Sequence, residues 1–269
     1  MTALLNQRWL LGRDSYRPPL EPIRTAEYDV EPIASDGPSK AFVLEHHYSR
    51  SYPAARFRFG LYRRGELAGV AVFSHPCSDR VLTNVFPDGA ATDAVELGRF
   101  VLLDEVAGNG ETWFLARTFE LLRAHVRGVV SFSDPISRTR ADGTPVFPGH
   151  VGTIYQAANA RFLGRGTART LRLLPDGRVL SDRAIQKIRK LERNWESSAA
   201  PLVALGADAV DTSSSAASTA WLARWLPVLT RTMRHPGNLR YAWGLERRTM
   251  RALAPSLPYP KRDVLARAA

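Results

Sequence analysis

The chain has 269 residues, 45% of them hydrophobic, and a net charge of +11 from 37 basic and 26 acidic side chains. No apolar run approaches the roughly 18–20 residues of a membrane span. The N-terminus has no small-residue cleavage pattern of a signal peptide, and a lone cysteine, Cys77, excludes an intrachain disulfide and makes a cysteine-built zinc site implausible.

Residues 1–24, with Pro18 and Pro19, are expected as an irregular arm. AEYDVEPI (26–33) reads as a strand. PSKAFVLEHHYSR (38–50) reads as a helix, with Pro38 in the first turn and Phe42, Val43 and His46 at helical spacing. Phe57, Phe59 and Leu61 alternate opposite Leu67 to Phe73 across a turn at Arg64 and Gly65, the mark of a hairpin. AVELGRFVLLDE (94–105) is another strand. NGETWFLARTFELLRAHV (109–126) is the clearest helix, with Phe114, Thr118, Leu121, Leu122 and Val126 on one face. GVVSFSDP (128–135) is nearly all apolar, as in a sheet centre covered on both faces.

GHVGTIYQAANARFLG (149–164) reads as a helix rich in polar side chains. ARTLRLLPDGRVLS (168–181) is a second hairpin with a Pro-Asp-Gly turn. A basic helix follows, capped by Ser181 or Asp182 and running to about Trp195. After it come a serine-rich segment, a tryptophan-rich helix, a Pro-Gly turn, a strand-like RYAWGL (240–245) and an extended LPYPKR. The order is α/β: a mixed sheet flanked by helices over 25–181, with a mainly helical extension over 182–269.

The charge follows that division. Residues 1–182 hold 22 basic and 20 acidic side chains, and residues 183–269 hold 15 and 6. An excess at one end suits a polyanion, most simply nucleic acid. Arg183, Lys187, Lys190 and Asn194 fall at i, i+4, i+7 and i+11, a stripe able to track phosphates. A merely solvated basic face gives the same pattern.

Asp134 ends the apolar strand, where side chains of an open sheet face the ligand crevice. It is a candidate general base or hard metal ligand, or a turn aspartate. Ser131 and Ser133 face one way, opposite Phe132, and either orient a substrate or simply pack. Tyr155 and Asn159 share a helical face, with Gly152 one turn earlier leaving room for a planar ring. Tyr155 is a candidate proton donor or metal ligand, against the alternative of a core tyrosine. Adjacent His46 and His47 point about 100° apart on a helix and cannot easily share one metal. His47 is a candidate base or ligand, and His150 a second choice. Arg99 clamps a phosphate or pairs with Glu96 or Asp104. Gly108, Asn109 and Gly110 open a helix whose free amides suit a pyrophosphate or an ordinary turn.

The order hairpin, strand, glycine turn, helix, strand, helix, hairpin resembles the GNAT acyltransferase fold. That resemblance implies acetyl-CoA or another acyl-CoA at Gly108–Gly110, and an acid at Tyr155. HHYSRSYP, ELGRFVL and SFSDP followed by GHVGTIYQAANARFLGRG together resemble the Mom DNA-modification proteins of phage Mu and related phages, over roughly residues 26–195 plus HPGNLRYAW. This second resemblance implies conversion of adenine in double-stranded DNA to a carbamoylmethyl derivative on the exocyclic amine, which protects the DNA from restriction. It also implies a bound iron, for which His47, Asp134 and Tyr155 are the expected ligands, and a site built on the His47–Tyr48 pair. The amine is paired inside the duplex, so the adenine has to be flipped out. An ordinary amine acyltransferase and a non-catalytic DNA-binding protein are the alternatives. A cytoplasmic location is expected, that of the host if a phage encodes the chain, and a homodimer is compatible with the sequence.

Overall fold

The computed structural model describes residues 6–10, 13–17 and 22–261, the first two stretches by their backbone alone. The elements open with β1 (Asn6–Leu10), β2 (Arg13–Arg17), β3 (Tyr28–Pro32), α1 (Asp36–His46), β4 (Ala55–Arg63), β5 (Glu66–Ser74) and α2 (Arg80–Thr83). Next are β6 (Ala94–Leu102), α3 (Gly110–Leu122), β7 (Gly128–Ser133), β8 (Arg138–Thr139), β9 (Pro145–Phe147), α4 (Thr153–Ala157), β10 (Arg161–Arg165), β11 (Arg169–Leu173) and β12 (Val179–Leu180). The chain closes with α5 (Asp182–Lys190), α6 (Trp195–Val203), α7 (Ser215–Leu229), β13 (Arg231–His235), β14 (Leu239–Gly244) and α8 (Arg247–Ala252). Of the arm expected over 1–24, β1 and β2 form an antiparallel pair, and Pro18 and Pro19 lie outside the described residues. No helix among the described residues is long and apolar enough to cross a membrane.

The chain divides into two compact units. One comprises Met1–Ile136, Phe147–Gly166 and Asn238–Ala269; the other comprises Ser137–Val146 and Thr167–Gly237. This differs from a division at 181/182, because RYAWGL returns to the first unit as a central strand.

The first unit holds a seven-stranded sheet in the order β10-β14-β7-β6-β5-β4-β3. Its one parallel pair is β6 with β7, from Ala94 opposite Gly128 to Leu97 opposite Ser131. Beyond Leu97 the register of β6 against β5 skips Gly98, a bulge that bends a strand. A Cβ on Gly98 would sit 2.8 Å from Ser74 Oγ. The parallel pairing stops there, although β6 continues to Leu102. On one face α3 buries Phe114, Leu115 and Leu122 against Leu97, Val129, Tyr241 and Trp243. On the other, Phe42 and Val43 of α1 pack on Val70, Val72 and Val101. Burying each such side chain contributes about 1.5–3 kcal/mol. The mixed sheet with helices on both faces is the expected fold class.

The stretch 149–164 is not one helix. α4 ends at Ala157, Asn159 takes a left-handed φ of 58°, and β10 then pairs with β14 around the buried Phe162.

The second unit pairs β12, β11 and β13 antiparallel. Its helices α5, α6 and α7 enclose Leu180, Ile185, Ile188, Leu202, Trp221 and Leu222. The basic helix is capped by Ser181, whose hydroxyl accepts from the Ala184 amide at 3.1 Å. It ends at Lys190 rather than Trp195, because Leu191 and Asn194 are left-handed, with φ of 50° and 62°. Lys187, Arg189 and Lys190 lie in its last turn, where they offset the negative end of the helix dipole.

Candidate active site

The first unit gathers its reactive side chains where the parallel pairing of β6 and β7 ends. His47 follows α1 and is 8% exposed. Tyr48 stacks on it, with centroids 4.3 Å apart, and on Phe147 at 4.2 Å. His150 stands edge-on to Tyr48, Phe147 and Tyr155. Tyr155 in turn packs on Tyr241 at 5.4 Å and edge-to-face on Trp243 at 5.5 Å. These rings make a continuous aromatic wall from the end of α1 to β14.

Local backbone chemistry builds that wall. The His150 amide donates to the Asp134 carbonyl at 2.8 Å, which pins the return of the chain after β7. Gly149 is required beside it, because its φ is +72° and a Cβ would lie 2.5 Å from the Pro135 carbonyl oxygen. Gly152 caps α4 with φ +71°, and a Cβ there would meet the rings of Tyr241 and Tyr155 at 2.8 and 2.9 Å. The space that the glycine leaves is therefore filled by the protein's own rings. The Tyr241 hydroxyl donates to the Val151 carbonyl and accepts from Gln156 Nε2 at 3.2 Å.

Burial sets the protonation states. It raises the Tyr155 pKa, an effect that the Ser131 hydroxyl and Arg99 partly offset, so the phenol keeps its proton at neutral pH. Burial pushes Tyr241 up to about 12. Burial, with Arg99 and His150, holds His47 well below the ordinary 6.5, so its imidazole is neutral. Burial also raises Glu96 and lowers Arg99, each partly countered by the other's charge. Ser131 donates to the Leu97 carbonyl at 3.0 Å. Ser133 is fully buried and its hydroxyl makes no hydrogen bond among the described residues. It lies near the Tyr241 phenol without reaching bonding geometry.

His47, Ser133 and Tyr155 thus belong to one region, with Arg99 nearby. Other expected site residues are placed differently. The Asp134 carboxylate accepts from the Ile136 amide at 3.1 Å, the work of a turn aspartate. Asn159 is exposed beyond the end of α4. Arg99 does not reach the glycine turn: it donates to the Ser51 carbonyl and hydroxyl, both at 2.7 Å.

The turn at Gly108–Gly110 brings no basic side chain of its own to a pyrophosphate. From Leu103 to Thr112 there is no basic residue, while Asp104, Glu105 and Glu111 are acidic. Gly108 and Gly110 have ordinary negative φ. Asn109 Oδ1 accepts from the Ile23 amide at 2.8 Å.

The expected iron ligands His47, Asp134 and Tyr155 are one imidazole, one carboxylate and one phenol. No three His, Cys, Asp or Glu side chains converge among the described residues.

In the second unit, Arg183 forms a two-pronged pair with Glu192, at 2.6 and 3.1 Å, and Asn194 lies off the α5 stripe. A different face is polar and free of acid. Thr170 pairs opposite Arg234 and Arg172 opposite Thr232 on β11 and β13, with Leu171 and Leu173 buried on the reverse side.

Sequence reasoning did not single out Phe147, Tyr241, Trp243, Ser49 or Ser51. The two serines carried a signal, since they alternate just after His47 in HHYSRS.

The sequence model of the Mom protein family matches residues 27–261. Among curated proteins none matches. Solved structures with similarity to the chain include two acetyltransferase-type proteins. The tandem GNAT protein from the clavulanic acid biosynthesis pathway, without AcCoA, has a TM-score of 0.41 at 9% identity, covering 82% of this chain and 99% of that one. A putative acetyltransferase from Pyrococcus horikoshii has a TM-score of 0.36 at 10% identity, covering 87% and 96%.

Proposed function

As the chain belongs to the Mom protein family, we propose that it modifies adenine in DNA, placing a carbamoylmethyl group on the exocyclic amine and so shielding the DNA from restriction. The observation that carries this reading is Tyr155: a buried phenol held protonated, within a wall of packed aromatic rings. Flat aromatic faces suit a flipped purine, and a protonated phenol beside it suits a leaving group.

In the transfer, the amine nitrogen gains a bond to carbon and gives up one proton. The leaving group departs with its bonding pair and takes a proton from Tyr155. The proton released by the amine reloads the tyrosine.

The Thr170, Arg172, Thr232 and Arg234 face of the second unit supplies the phosphate contacts. That unit carries 13 basic and 7 acidic residues, and neither Arg172 nor Arg234 has a carboxylate partner among the described residues.

Expression in a plasmid-bearing host, followed by mass spectrometry of the plasmid nucleosides, tests the reading. A carbamoylmethyl deoxyadenosine peak, absent with Tyr155→Phe, supports it. An unmodified adenine pool with folded wild-type protein sinks it. An acetyl mass shift on the amine points to simple acyl transfer instead.

A further inference from the structure

The tautomer of His47 can be read from heavy atoms. Its Nδ1 lies 3.1 Å from the Ser49 amide nitrogen and 2.9 Å from Ser49 Oγ. A backbone amide only donates, so Nδ1 offers its lone pair and carries no proton. The Ser49 hydroxyl therefore donates to Nδ1 as well. Ser51 Oγ donates to Ser49 Oγ at 3.3 Å and accepts from Arg99 Nη2 at 2.7 Å. A guanidinium has donors only. Each hydroxyl accepts from the side of Arg99 and donates toward His47, so the chain runs one way. With Nδ1 bare, the neutral ring keeps its proton on Nε2. Protonating Nδ1 would set one N–H against another at Ser49, and burial and the charge of Arg99 oppose it too.

We propose that the Arg99–Ser51–Ser49 chain locks His47 as the neutral Nε2–H tautomer, making it a hydrogen-bond donor to a carbonyl oxygen of the transferred group rather than a base or an Nε2 metal ligand. The identity of that oxygen rests on the base-modification reading; the lock does not. Nε2 has no acceptor among the described residues. A carbonyl next to the attacked carbon gathers negative charge during transfer, and a neutral N–H fixed in advance stabilises it without reorganisation. Ser49, Ser51 and Arg99 are positioning residues, since they act through the imidazole.

Two-bond proton–nitrogen correlation spectra of the full chain, labelled with 15N-histidine, test the lock. His47 signals are assigned by their loss in His47→Gln. Nε2, coupled to both ring protons, is expected at the pyrrole-type shift, and Nδ1, coupled to Hε1 alone, at the pyridine-type shift. Ser51→Ala cuts the chain but leaves the Ser49 amide as the one fixed donor to Nδ1, so the two shifts should move toward each other if the chain contributes to the lock, and shifts equal to wild type overturn the role of the chain. A protonated Nδ1, or averaged shifts in the wild type, overturns the proposal.

Modified nucleoside in plasmid DNA is the second readout. His47→Gln keeps an N–H donor and should stay within about 10-fold of wild type, whereas His47→Ala should lose about 100-fold or more. Equal losses in two folded variants overturn the donor role. A wild type that modifies no base, yet shows the Nε2–H tautomer, removes the base-modification reading and leaves the lock standing.

Discussion

Tyr48 lies nearly flat on Phe147, with ring centroids 4.2 Å apart and planes 19° from parallel. The pair joins the end of α1 to the strand that brings the chain back into the first unit. A stacked aromatic pair contributes about 0.5–1.5 kcal/mol beyond the area it buries. Tyr48→Ala should therefore lower unfolding stability by about 1 kcal/mol or more and depress base modification. Tyr48→Phe should keep both. Denaturant melts and nucleoside analysis read the two effects, and an equal loss in both variants would assign the role to the hydroxyl instead.

Ser133 offers the opposite combination. A buried hydroxyl without a partner costs stability, so Ser133→Ala should leave the fold unchanged or firmer by about 1 kcal/mol. If the hydroxyl bonds the reacting group, the same variant should form less product. A rise in melting temperature with a fall in modified base is the expected pair of results.

Tyr155→Phe keeps the ring that packs on Tyr241 and Trp243 and removes the proton. Product formation should fall by roughly 100-fold or more, the usual worth of a positioned acid. The melting temperature should hold, because the aromatic packing persists. A variant as active as wild type would assign the acid elsewhere.

The depressed pKa of His47 makes stability depend on pH with a definite sign. The unfolded chain takes up a proton near the ordinary 6.5 that the folded site refuses. More protons in the unfolded state mean that stability rises with pH. This contribution is present above about 6.5 and is lost as pH falls toward the folded value. Glu96 works the other way, since its raised pKa removes stability as pH rises above 4.5. Between about pH 7 and about pH 5 the melting temperature of wild type should therefore drop more than that of His47→Gln.

The acid-free face of β11 and β13 makes a prediction about DNA. Arg172→Glu with Arg234→Glu should weaken duplex binding and reduce its salt slope by about one for each phosphate that is no longer neutralised. Asn194→Ala should change neither. Titrations across a range of salt concentrations check this, and unchanged slopes in the double variant would place the DNA on another surface.

Much of the first unit was legible because its signals are local. The alternation of Phe57, Phe59 and Leu61, the apolar face of 110–122 and the unbroken run of 128–133 each report one element's own burial. His47, Ser133 and Tyr155 could be nominated for the same reason: each sits next to a recognisable strand or helix end. What escaped was set by partners far away in sequence. Nothing local in RYAWGL says that it enters the sheet between β7 and β10, so Tyr241 and Trp243 were not foreseen beside Tyr155. Asn194 drops out of the basic stripe because two left-handed residues divide what periodicity joins.

The placement of β14 also orders events during synthesis. It pairs with β7 along the whole of that strand, from Leu239 opposite Ser133 to Gly244 opposite Gly128, yet more than a hundred residues intervene. A growing chain must therefore carry β7 as an open strand edge while the second unit is made, and pairings of such long span close slowly. The aromatic wall is completed only when Tyr241 and Trp243 arrive, so a nascent chain stopped before them has an unfinished sheet and an unfinished site together. Completion of the aromatic wall is thereby tied to the synthesis of β14.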